Sequence, residues 1–423
     1  DQLGFFGGDP DNFTYPRFNL DCSFFRVYDE NGNPLKTENF FKWSENGAAV
    51  GEPVFVVGNP GNTDRLNTVA QLEYARDIQY PRTVSLLSNL SDIYKEALIK
   101  DPSRKLELQD MIFSFDNSRK AYGGILEGLR NPVLMERKKD FEKSFRASVE
   151  ADPELKSKYG HLWDKISDSR KELSTISNKN FALSLNQLTT PKYFFIADEV
   201  IAIAENLNLP ESERNDLYVG EELDNTLASL FPEDFDAEMA NLLLEKKIEA
   251  MYLYLGPDDP LVKKFTDGKQ GKEAVDYVLS NSKVTNLEDV KDLLEDGAAE
   301  VLKGDDPFIY FMMNSKDRVQ DYSKKIKQIT ETESSYSQQL GVALFEVYGT
   351  SIPPDATFTL RLADGVVKGY PYNGTYAQPY TTFYGMYDRY IGQGKEFPWS
   401  LPERWTPPPA DFDLATPFNF VST

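Results

Sequence analysis

Apolar and polar positions along this chain change their period twice. Up to about Asp64 the apolar runs are short and sit among Gly, Pro, Asn and aromatic residues, which reads as β structure. Cys22, Phe24, Arg26 and Tyr28 alternate with Ser23, Phe25 and Val27, the pattern of a strand buried on both faces near its middle. Asp29-Glu30-Asn31-Gly32-Asn33-Pro34 then supplies turn chemistry, because Asn-Gly tolerates positive φ and proline ends pairing. Val54-Phe55-Val56-Val57 predicts a second buried strand, stopped by the loop Gly58-Asn59-Pro60-Gly61-Asn62-Thr63.

From about Val69 the period becomes helical. Leu87, Leu90, Tyr94 and Ala97 share one face, and Pro102 breaks the run. Leu108, Ile112, Phe115, Arg119, Tyr122, Leu126, Leu129 and Val133 step by three and four along a narrow seam. Gly123-Gly124 weakens that helix by about 1 kcal/mol per glycine. Further helical patterns cover 136–149, 154–176, 193–206, 236–254, 259–280, 287–302 and 317–348, with Pro153, Pro191, Pro210, Pro232, Pro257 and Pro260 at starts or in loops. From about Thr350 β character returns. Thr357 to Leu362 alternates, Asp364-Gly365 predicts a turn, Val366 to Tyr370 reads as the returning arm, and Phe418 to Val421 as one more strand. The order is therefore β, a long α block, then β, with no internal repeat. The pattern fits helices inserted into one β domain and fits three separate modules equally well.

Composition narrows the function. The chain has 423 residues, 40% hydrophobic and 27% charged, which is the make-up of a folded globular protein. Asp and Glu number 68 against 46 Lys and Arg, a net charge of -22 that repels nucleic-acid backbones and anionic membranes. One cysteine, Cys22, leaves no internal disulfide and no Cys-rich zinc site; one histidine, His161, leaves no His-cluster metal site. Any acyl-transfer triad has only His161 as a base within these residues. His161 sits deep in the helical block, in Lys158-Tyr159-Gly160-His161-Leu162-Trp163, and reads as a helix-surface or packing residue.

Few patterns point to chemistry. Asp9, Asp11 and Asn12 open like a calcium loop, but the sixth and twelfth positions hold Thr14 and Leu20 where Gly and Glu are required, so that reading fails and an Asx-rich turn remains. Asn12-Phe13-Thr14 and Asn373-Gly374-Thr375 are formal glycosylation sequons. Asp21, just before the apolar run at Cys22, either caps a strand end or is a buried carboxylate that orients a histidine. Acidic runs such as Glu221-Glu222 and Asp305-Asp306 read as solvated surface, and no pair of acids stands out at glycosidase spacing.

Taken together, Gly8-Asp9-Pro10-Asp11-Asn12-Phe13, Pro16-Arg17, and Asp21 followed by Phe24-Phe25-Arg26 resemble the bacterial dipeptidyl-peptidase 7 and dipeptidyl-peptidase 11 family of serine peptidases. Val54 to Arg65, Asn117 to Leu129, Pro354 to Tyr370 and Pro417 to Thr423 carry the resemblance on, in order, to the end of the chain. It implies an α+β fold: a chymotrypsin-like double β-barrel, incomplete here, interrupted by a large all-α insertion. Residues 1–72 and 350–423 would belong to the barrel, and 73–349 to a helical lid. The chain would be a central piece. The family's catalytic histidine would precede Asp1, and its serine, in a Gly-Asn-Ser-Gly-Ser-Pro loop, would follow Thr423.

By that resemblance Asp21 is the triad aspartate. The side-chain carbonyl of Asn12, the backbone at Phe13 and Asn117 of the helical block accept the substrate's α-ammonium. Many relatives have Trp where this chain has Phe13. Asn117, in Asp116-Asn117-Ser118-Arg119-Lys120, lies opposite the seam of Phe115, Arg119 and Tyr122. The implied activity is release of dipeptides from free peptide N-termini, with no turnover by residues 1–423 alone. The implied partners are peptides with a free N-terminus, with a homodimer left open; no cofactor, metal, nucleic acid or membrane insertion is expected. The implied location is the periplasm or cell surface. A relative without its triad that only binds peptides, and a helical interaction protein with β caps that do not pack together, are the competing readings.

Overall fold

The computed structural model describes residues 3–11, 14–20, 22 and 24–421. Contacts divide the chain into two units, one made of residues 1–65 with 355–423 and the other of 66–354.

The first unit joins the two ends of the chain. A single helical turn, α1 (Gly8–Asp11), precedes strand β1 (Pro53–Gly58). β1 pairs antiparallel with β2 (Arg361–Val366), Phe55 facing Asp364, and Asn62 bridges Thr357. β3 (Tyr370–Tyr372) and β4 (Thr375–Ala377) form a hairpin turned by Asn373 and Gly374, both at positive φ as a two-residue turn requires. β5 (Tyr380–Thr382) pairs with β6 (Pro417–Phe420). Helix α16 (Phe383–Gly392) follows β5 and places Met386 and Tyr387 in a core with Phe6, Phe18 and Leu401. Trp399 and Trp405 pack on that core.

The second unit is helical. It runs α2 (Val69–Tyr74), a π-helical stretch (Ala75–Gln79), α3 (Tyr80–Lys100), α4 (Lys105–Arg130), α5 (Pro132–Ala151), α6 (Pro153–Tyr159) and α7 (Leu162–Leu183). It continues through α8 (Lys192–Leu207), α9 (Gly220–Leu230), α10 (Ala237–Leu255), α11 (Pro260–Thr266), α12 (Gly271–Ser280), α13 (Leu287–Glu295), α14 (Ala298–Val301) and α15 (Pro307–Tyr348). The 42 residues of α15, about 63 Å at 1.5 Å per residue, form a spine. Its N-terminal part enters the main core, where Phe308 and Phe311 meet Phe194 of α8 and Phe265 of α11 at 5.0–5.7 Å between ring centres. Its C-terminal part lays Leu340 and Leu344 against Phe145, Trp163 and Ile166 in a second core. Midway, the buried Glu333 is bonded by Arg170 of α7 and by Gln71 Nε2 of α2 at 2.7 Å, so its charge is paired where water is excluded. Among the described residues no helix is long and apolar enough to cross a membrane, and no cluster of three His, Cys, Asp or Glu is placed to hold a metal ion.

Several expectations are corrected. The described positions from Cys22 to Tyr28 form no strand, and Phe24 and Phe25 are 83% and 90% exposed. The alternation there is real, but no described strand pairs with it beyond the bridge of Tyr28 to Pro34. The turn at Asp29 does form: Asp29 Oδ1 accepts from Asn31 N and Asn33 N at 2.9 Å, and Gly32 takes φ 77°. Val54 to Val57 form β1, yet Phe55, Val56 and Val57 are exposed rather than buried. Asp364-Gly365 does not turn, because both residues are paired across β1. Three predicted helices are broken in two by local backbone: at Gly160-His161, at Asp267-Gly268 where both residues take positive φ, and at Gly297, φ 104°. Pro132 opens α5 and takes Val133 off the α4 seam. Asp306 is no solvated acid; its carboxylate caps α15 by accepting from Phe308 N and Ile309 N. Helix α9 was not expected from the pattern, and α15 starts ten residues before 317. The sheets of the described residues are three two-stranded ladders.

Candidate functional site

The two ends of the chain converge on one cavity of the first unit, ≈ 620 Å³ in volume. Thr14, Tyr15, Arg17, Asn19, Leu20 and Cys22 form one wall, and Tyr370, Thr381 and Asn419 to Val421 form the other.

The walls are tied by the backbone of the first segment. Arg17 O accepts from Asn419 Nδ2 at 3.2 Å and from Thr381 Oγ1 at 3.4 Å. Tyr15 Oη accepts from Gln378 N at 3.1 Å, and Tyr15 O accepts from Tyr372 Oη at 3.4 Å. The Tyr15 ring meets Tyr370 and Tyr372 edge-on, 5.9 and 5.5 Å between centres. Between these anchors Phe18 is buried in the core, so Arg17 and Asn19 are held on either side of a fixed ring. Arg17 Nε donates to Asn19 Oδ1 at 3.2 Å, and Asn19 Nδ2 donates to Gly4 O at 3.0 Å. The lining thus offers one guanidinium, two amides and several hydroxyls. Such a surface can hydrogen-bond the donors and acceptors of a peptide backbone.

Asn12, Phe13 and Asp21 lie outside the described residues. Their neighbours are placed: Leu20 and Cys22, which flank Asp21, line the cavity. Asp11 is buried, and Thr14 Oγ1 donates to Asp11 O at 2.9 Å. The premise that an apolar buried strand follows position 21 fails, since Phe24 and Phe25 are exposed.

Asn117 belongs to the other unit, half-buried on α4. Its neighbour Asp116 is 1% exposed and accepts from Ser91 Oγ and Lys95 Nζ of α3, each at 2.7 Å, with Arg119 at 3.4 Å. Burial pushes the Asp116 carboxyl up, but the bonds from Lys95 and Ser91 and the charge of Arg119 outweigh it and hold the group below its ordinary value. Tyr94 of α3 also meets Phe115 edge-on at 5.2 Å. These contacts lock α3 to α4 and fix the backbone that carries Asn117. His161 precedes α7 on the surface, as expected.

Sequence reasoning did not single out Tyr15, Asn19, Tyr370, Thr381 or Asn419 as site residues. Tyr370 and Asn419 lay inside the stretches that carried the resemblance, beside Arg17, and that was the available signal.

The family described as Peptidase S46 matches residues 1–423. Dipeptidyl-peptidase 7 of Porphyromonas endodontalis is 25% identical over 416 residues, covering 94% of this chain and 49% of that protein. The Asp/Glu-specific dipeptidyl-peptidase of Shewanella putrefaciens is 24% identical over 437 residues, covering 96% and 57%. The crystal structure of Porphyromonas endodontalis DPP11 superposes with a TM-score of 0.72 at 19% identity, over 96% of this chain and 59% of that one. The same protein in complex with the dipeptide Arg-Asp gives 0.71 at 18% identity, over 96% and 59%. The chain spans about half the length of the curated relatives it matches.

Proposed function

The chain belongs to the peptidase S46 family, and from that premise we propose that it is the central part of a serine-type dipeptidyl-peptidase that releases dipeptides from free peptide N-termini. The observation that carries the reading is the family match from the first residue to the last. The convergence of Thr14, Arg17 and Asn19 with Tyr370, Thr381 and Asn419 on one polar cavity supports it, because a peptide-holding cleft needs fixed donors and acceptors.

Asp21 takes the role of triad aspartate. Its carboxylate accepts the Nδ1–H of a histidine supplied from outside residues 1–423, holds the ring in one tautomer and stabilises the imidazolium while the serine is acylated. Asn12, the backbone at Phe13 and Asn117 accept the substrate's α-ammonium and so measure off two residues from the scissile bond. β1 with β2, and β5 with β6, are parts of a chymotrypsin-like double β-barrel. The exposed apolar side chains of Phe55, Val57 and Leu362, which share one face of the ladder, support that reading, since a barrel wall needs a covered inner face. Relatives named for dipeptidyl-peptidase activity and a related structure holding dipeptides support peptides as substrates. Residence in the periplasm or at the cell surface belongs to the same proposal.

The test uses the full-length protein and a dipeptidyl fluorogenic amide. Wild type should cleave the substrate with a free N-terminus and leave its N-acetyl form intact. Asp21→Asn should lower kcat by about four decades, and Asn117→Ala should act mainly on KM for the free-amine substrate. Equal cleavage of the acetylated substrate would refute the dipeptidyl assignment. Full activity of Asp21→Asn would refute the triad. Peptide binding without cleavage would favour the triad-less relative.

A further inference from the structure

The helical unit holds a cavity of its own, ≈ 670 Å³, lined from α3, α7, α10 and α15. Its charges are lopsided. Arg82 comes from α3, Arg170 from α7, and Lys246, Lys247 and Glu249 from α10; Tyr74 and Tyr254 complete the titratable groups on the wall. Arg170 is committed to Glu333, and Lys246 to Glu249 at 3.0 Å. Arg82 and Lys247 have no carboxylate partner among the described residues. Arg82 donates to Asn178 Oδ1 at 2.9 Å and lies over the Phe181 ring.

Lys247 is the unusual member. It is 8% exposed, and its ammonium makes one hydrogen bond, to Ser184 O at 2.7 Å. An ammonium carries three donors, so two are unmet. Ser184 is the residue that ends α7, and favourable placement of a cation at a helix C-terminus accounts for that one bond. It does not account for the other two, or for Ser177 on the same wall, whose Oγ is buried without a hydrogen-bond partner. Burial also pushes the Lys247 ammonium down to about 7, the mark of a cation held away from water without a counter-charge. In a chain of net charge -22, unmet donors and unpaired cations gathered on one cavity call for an anion.

We propose that this cavity binds a small organic anion, a carboxylate or phosphate monoester on an aromatic or aliphatic body. The anionic head takes its hydrogen bonds from Lys247 and Ser177, and Arg82 adds charge. The body lies against Leu173, Phe181 and Leu253, which line the same space. A volume of this size matches ordinary small-molecule sites, and charge-assisted bonds are about twice as strong as neutral ones.

The test is calorimetric titration at fixed ionic strength with two probes, phenyl phosphate and benzoate. At least one should bind saturably at one site per chain. Lys247→Met should weaken it at least tenfold, whereas Lys291→Met, whose ammonium faces Asp224 outside the cavity, should not. Near pH 7 a bound anion should draw a proton onto Lys247. The observed heat should therefore vary with the ionisation enthalpy of the buffer, and this variation should vanish in Lys247→Met. A lysine that only caps α7 would show no such proton uptake. If Lys247→Met does not fold, Ser177→Leu fills the head-group position and carries the same expectation. No saturable binding of either probe, unchanged affinity in the variants, or binding without proton uptake would each overturn the proposal.

Discussion

Gly385 is a position where one added carbon should disturb the core of the first unit. It lies in the first turn of α16, and a Cβ built there would stand 2.3 Å from Phe18 Cζ and 2.4 Å from Phe18 Cε1. Carbon atoms in contact sit about 3.5–4.0 Å apart, so a ring buried in the core would have to retreat by more than about 1 Å. Overpacking of that kind costs about 1–3 kcal/mol. Alanine in place of glycine inside a helix returns about 1 kcal/mol. Gly385→Ala should therefore destabilise the first unit by up to about 2 kcal/mol. The sign should reverse once the ring is shortened. Phe18→Leu removes Cζ and both Cε atoms, the ones that clash, and in that background Gly385→Ala should stabilise by up to about 1 kcal/mol. Urea unfolding followed by tryptophan fluorescence measures this, because Trp399 and Trp405 both pack on the affected core. An equal cost of Gly385→Ala in both backgrounds would refute the contact, and with it the account of how Phe18 holds Arg17 and Asn19 in place.

Other outcomes follow from charges and caps in the helical unit. Asp116→Asn should cost about 1–3 kcal/mol, read as a lower Tm by far-UV circular dichroism, since Ser91 and Lys95 lose a charged acceptor. Asp306→Ala should cost about 1–2 kcal/mol through loss of the α15 cap, while Asp306→Asn keeps an acceptor and should cost clearly less. Lys247 titrates near 7 when folded because it is buried, against about 10.4 when unfolded. Between those values the unfolded chain binds the extra proton, so stability should rise with pH, by at most about 1.4 kcal/mol per unit. Lys247→Met should flatten that part of a Tm-against-pH curve.

The helical unit was largely legible because its cores obey a 3.6-residue period and its helices begin at marked places. Asn131-Pro132, Asp152-Pro153 and Asp259-Pro260 each pair a capping side chain with a proline at the first helical position. The breaks at Asp267-Gly268 and Gly297 were not legible, since a positive φ does not interrupt the spacing of apolar residues on either side. The β segments were harder. Alternation at Cys22 to Tyr28 and the apolar run at Val54 to Val57 record what side chains could bury, not whether a partner lies against them, and here the described faces are open. Asp364-Gly365 carried turn chemistry that pairing with Val54 and Phe55 overrode. Of the residues expected at the site, Asn117 alone has a described position, and the roles of Asn12, Phe13, Asp21 and Asn117 all rest on resemblance.

The ladder between Phe55 and Asp364 also sets an order of assembly. A ribosome must add roughly 290 residues after Arg65 before the partner of β1 begins to emerge, on the order of 15 to 60 s at bacterial and eukaryotic rates of synthesis. The helical unit is contiguous and can collapse within that interval. Until β2 is made, the backbone N–H and C=O groups of β1 have no partner strand. Expression at slower elongation lengthens the time for which that strand edge is open.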